Sequence, residues 1–163
     1  MLNELWAKVS AREKLVVYGA ALAVVGVIVG LILATVDACA GLGNLGNLGA
    51  LCSVNYFTVD TFGGGIFVWL TLIAAIATLV VVYLHAAPNM NITWPMPYAQ
   101  ILLGVAGATL VCAVLVVLGQ LIRAGGFGPN PPIFLYVADV LVVAGGALAA
   151  YAAYMDWTAS KVA

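Results

Sequence analysis

Asp139 carries the most chemical potential of any residue in this 163-residue chain. It stands well inside an apolar run, six positions beyond Ile133 and so about 9 Å along a helix axis. A carboxylate at that depth in hydrocarbon is costly and points to a functional site by default. At about 100° per residue, Gly146, Ala150 and Ala153 share its stripe, which predicts that it faces another helix rather than lipid. Arg123 ends the preceding apolar run, with Gln120 one turn before it, and a guanidinium is long enough to reach the carboxylate.

Two chemistries follow. In the first, Asp139 and Arg123 pair and fix how the last two helices dock. In the second, Asp139, Gln120 and Asp37 line a proton or cation site. Transport sites tend to lie near the bilayer midplane on interrupted helices, and none of the runs here is broken, so docking is favoured.

His85 is the only histidine. A b-type haem takes two axial histidines, whereas a chlorophyll takes one, so a pigment or cofactor held by His85 is a minor alternative to an ordinary interfacial histidine. Cys39 and Cys52 fall in one connection, and we expect a disulfide between them on the oxidising side of the membrane. Such a link stabilises by about 3 kcal/mol through lost unfolded-chain entropy. The reactive Cys-x-x-Cys spacing of thiol oxidases is missing. Cys112 reads as a packing residue. A two-cysteine first loop on four spans is similar in outline to claudin-type proteins. The Trp and Gly-Leu-Trp motif of that loop is missing before Cys39, so no family follows.

No phosphate loop, catalytic triad, paired carboxylates or metal-ligand spacing accompanies these residues, so most enzyme classes lack the parts they need. No metal and no dedicated cofactor is expected beyond lipid. The net charge of −1 provides no basic stripe for nucleic acid.

The elements that must position these groups are four long apolar runs, at about 15–36, 66–87, 98–122 and 133–155. Each is long enough to cross about 30 Å of hydrocarbon as a helix. Only 7% of residues are charged and the mean hydropathy is +1.19, so a water-facing surface cannot be assembled from this chain. One all-α bundle of four membrane-spanning helices accounts for residues 1–163, with an amphipathic interfacial lead-in carrying Leu2, Leu5, Trp6 and Val9 at helical spacing. Ser10-Ala-Arg-Glu13 reads as a capping box that starts the first span. Pro97 suits the first helical residue of the third, and Asn130-Pro131 the start of the fourth. Gly41 to Leu51 places leucine at every third position, which predicts a compact loop rather than a regular element.

Gly26, Gly30 and Asp37 fall within about 20° of Gly19 on a helical wheel, a close-approach stripe for an internal contact or a partner. Gly146 and Ala150 form a second one. Trp94, Tyr98, Tyr151, Tyr154 and Trp157 mark one interface, and Tyr56, Phe57, Phe127 and Phe134 the other. Lys8, Arg12, Lys14 and Lys161 against Arg123 place both termini in the cytoplasm, in the plasma membrane. The sequence thus predicts a non-enzymatic membrane subunit that packs against other integral membrane proteins or against itself. A small channel or carrier around Asp139 is the alternative.

Overall fold

A computed structural model describes residues 6–35, 65–87, 94–122 and 135–161. These form four long helices, α1 (Ala11–Thr35), α2 (Gly65–Ala86), α3 (Tyr98–Ile122) and α4 (Leu135–Ser160). All four are long and apolar enough to cross a membrane, and no strand occurs among the described residues. The chain is a four-helix membrane bundle. In lipid this is forced, because a spanning segment must satisfy its own backbone hydrogen bonds.

The helix starts follow local chemistry. The Ser10 N–H donates to Glu13 Oε2 at 2.8 Å, and the Glu13 N–H donates back to Ser10 Oγ at 3.2 Å. This reciprocal box satisfies two donors that a helix start leaves orphaned, and a cap of this kind contributes about 1 kcal/mol. It starts α1 at Ala11, four residues before the predicted onset of the apolar run. Pro97 sits one place outside α3 rather than in its first turn. Its carbonyl accepts from the N–H groups of Gln100 (2.9 Å) and Ile101 (3.3 Å), the role of an N-cap. At the other extreme, α4 runs five residues past the predicted end at Met155, since neither Gly nor Pro interrupts the segment before Ser160.

The helices close in the order α1–α2–α3–α4, each packed on both neighbours, and α1 with α4 share the most extensive interface. That interface is made of small residues. Ala20, Ala23, Ala149, Ala152 and Ala153 are fully buried. A Cβ at Gly19 would stand 2.5 Å from the Ala149 nitrogen and 2.7 Å from the Gly145 oxygen. One at Gly145 would stand 2.5 Å from the Ala23 nitrogen and 2.6 Å from the Gly19 oxygen. The two backbones therefore touch, and the hydrogen each glycine carries there points at the other's carbonyl oxygen, the arrangement of weak Cα–H···O bonds. Gly26 continues the contact against Val142, and Gly30 is also buried. The predicted α1 stripe is thus consumed inside the bundle. Asp37 lies outside the described residues.

Two apolar layers fill the middle. One centres on Val16, Val82, Leu102 and Ala106, the other on Val27, Val68, Ala113, Val116 and Val142. The buried hydroxyls of Thr71, Thr78 and Thr109 donate to the carbonyls four residues back, of Phe67, Ala74 and Val105, at 2.7–3.1 Å. Each is satisfied by its own helix, so none adds polarity to the interior.

Candidate functional site

Polar side chains gather at the two ends of the bundle. The near end is the one where α1 begins and α4 finishes. At the far end, Asp139 on α4 is buried, 3% exposed, as its stripe predicted. The Gln120 side-chain amide on α3 donates to Asp139 Oδ1 at 3.1 Å, so these two predicted residues do meet. Arg123, Cys39 and Cys52 lie outside the described residues, and with them the expected ion pair and disulfide. Cys112 is a free thiol on α3, partly exposed. Gly146 does serve the α3–α4 contact, where a Cβ would stand 3.0 Å from Leu110 Cα, while Ala150 is only partly buried.

The near end holds a cluster that sequence reasoning did not assemble. Glu13 on α1 is 8% exposed. One of its oxygens closes the capping box and the other lies 3.9 Å from His85 Nε2 on α2. The imidazole stacks on the Tyr98 ring of α3, with centroids 3.6 Å apart and planes 12° from parallel. Asp156 on α4 is within electrostatic reach of Glu13, Arg12 and His85. The Tyr98 hydroxyl is buried beside Glu13, its strongest charged neighbour. Glu13, His85 and Tyr98 thus bring α1, α2 and α3 together in a polar knot, with Asp156 of α4 within electrostatic reach. His85 is half exposed at the rim of this knot, with the nitrogen usually offered to a metal or pigment turned toward a carboxylate. Around it Trp94 packs near Tyr98, Tyr154 near Trp157, and the Lys161 ammonium lies 3.7 Å over the Trp157 ring. These aromatic side chains, which the sequence assigned to one membrane interface, gather at this end of the bundle.

The two polar ends are 17 residues apart on α4, from Asp139 to Asp156, or about 25 Å. The apolar layers described above lie between them. Among the described residues, no group of three or more His, Cys, Asp or Glu side chains is placed to hold a metal ion.

A third feature lies on the outside. Among the described residues, nothing lies within 4 Å of where a Cβ would stand at Gly104 or Gly107 on α3. They continue into exposed Ala108 and into Val111 and Leu118, on the opposite side of α3 from its buried residues. The signal for this face was present as Gly104-Val-Ala-Gly-Ala108, a small-x-x-x-small spacing. The sequence alone does not say whether such a pair turns inward, as in α1, or outward. No family model matches the chain, and neither a curated protein nor a solved structure matches it at a significant level.

Proposed function

We propose that the protein is a non-enzymatic integral membrane subunit that packs against another transmembrane helix, of a second copy or of a different membrane protein. The open face of α3 around Gly104 and Ala108 is the observation that carries this reading. A glycine within a helix costs about 0.5–1 kcal/mol relative to alanine. Gly19, Gly26, Gly145 and Gly146 offset that cost with close contacts inside the bundle. Gly104 and Gly107 have no such contact among the described residues. In lipid, helix association is driven by close backbone approach at such small residues, since apolar side chains gain nothing by leaving lipid tails for one another.

The runner-up is a proton or cation carrier built on Asp139 and Gln120. Its supporting observation is the burial of that pair. A through path would need polar steps across the roughly 25 Å to the near-end knot, where Val27, Val68, Ala113 and Val116 stand instead. A pigment carrier using His85 comes third. The excess of Lys8, Arg12, Lys14 and Lys161 over Arg123 further supports placing both termini in the cytoplasm of a plasma-membrane protein.

The test is the mass of the gently solubilised particle. Native mass spectrometry should find an assembly heavier than the 16.8 kDa chain. The double variant Gly104→Leu with Ala108→Leu should fall to the single chain, with its helical content and melting temperature kept because both side chains project into open space. A wild type that runs alone in mild detergent and in nanodiscs, or a variant that keeps its partners, contradicts the proposal.

A further inference from the structure

An apolar groove of about 190 Å³ opens on the outside of the bundle between the lead-in segment, α1 and α2. It is lined by Trp6 and Val9 of the lead-in, Val17 of α1, and Leu79, Val82, Tyr83 and Ala86 of α2. From Ala86 to Leu79 the groove follows α2 for about 10 Å from the near end toward the membrane interior. Its lining is almost wholly apolar, so a polar headgroup or a water-filled site does not fit inside it. Its rim is charged. The Lys14 ammonium sits 5.5 Å over the Trp6 ring, and Trp6 is held edge-on to Tyr18 with centroids 5.7 Å apart. Lys14 therefore stands against a lining residue of the groove, three residues before Val17, another lining residue, on α1. Glu13 is turned the other way, into the knot with His85. Arg12 is within reach of Asp156 on α4.

We propose that this groove binds one acyl chain of an anionic glycerophospholipid, with Lys14 holding the phosphate. The occupant follows from complementarity at both ends. A chain-lined slot at interface depth takes hydrocarbon, and a single positioned ammonium against its lining selects a headgroup with net negative charge over a zwitterionic one. Trp6 has two roles here, as a wall for the chain and as the platform that keeps the ammonium in place. The inference is independent of the α3 face and of any partner.

Native mass spectrometry of the purified full chain tests it, with phosphatidylglycerol and phosphatidylcholine of identical acyl chains added in equal amounts. The wild type should retain phosphatidylglycerol preferentially at a stoichiometry of one. Lys14→Gln should weaken that retention about fivefold and weaken retention of phosphatidylcholine less, so that the preference narrows. Ala86→Phe, which fills the groove, should reduce retention of both lipids. Glycerol phosphate, which has the headgroup but no chains, should not compete. Equal retention of the two lipids by the wild type, or an unchanged preference in Lys14→Gln, overturns the proposal. So does undiminished binding in Ala86→Phe, and should that variant fail to fold, Lys14→Gln decides alone.

Discussion

Gln120 and Asp139 meet because α3 and α4 are antiparallel neighbours, which brings residues near the end of one helix beside residues near the start of the next. A hydrogen bond from an amide to a buried carboxyl is expected to couple the two positions by about 1–3 kcal/mol. Melting curves in detergent for Gln120→Ala, Asp139→Ala and the double variant complete a cycle that reads this coupling. Strict additivity would show that the contact contributes nothing to docking. Asp139 was legible in the sequence because one acid inside an apolar run stands out against everything around it. Glu13 was legible only in part. Its capping role depends on a partner three residues away and was read correctly, whereas its approach to His85, Tyr98 and Asp156 depends on the convergence of three other helices. His85 was weighed as a lone ligand because nothing local reveals that Tyr98 lies flat beneath its ring.

Among elements, the α1–α4 crossing is the contact the bundle can least afford to lose. Alanine at Gly145 or Gly19 would place a methyl group about 2.5 Å from backbone atoms of the facing helix, which only separating the two helices can relieve. Gly145→Ala should therefore destabilise by about 1–3 kcal/mol, the cost of overpacking a tight interface. Gly104→Ala, in open space, should be neutral or stabilise by up to about 1 kcal/mol through helix propensity. Thermal unfolding of the two variants side by side decides it, and equal effects would mean that the crossing is looser than described. The α1 stripe was readable from its spacing. Its partner was left open, and the Asp139 stripe points to Gly146, which faces α3, while the adjacent Gly145 faces α1. Neighbouring residues on α4 serve different helices, and only the order of packing separates them. The helix ends drifted from the apolar runs for a related reason. Hydropathy marks the hydrocarbon, but Ser10 caps α1 before it and no breaker stops α4 after it.

For the whole molecule, the four spans were legible because a bilayer leaves so little choice: with the backbone obliged to satisfy itself, length and apolarity determine the element. Function was less legible because the same small residues serve internal and external contacts, and spacing alone does not tell them apart. The bundle buries Gly19, Gly26, Gly145 and Gly146 and leaves Gly104 and Gly107 open among the described residues. The central claim, that this open face is where a partner helix docks, is tested most directly in intact membranes with a photo-crosslinking residue placed at Ala108. A control carries it at Ile73, which is exposed on α2. A discrete adduct with a second transmembrane protein or a second copy is expected from position 108, and lipid adducts alone from position 73. Lipid adducts alone from position 108, or the same protein adduct from both positions, would contradict that claim.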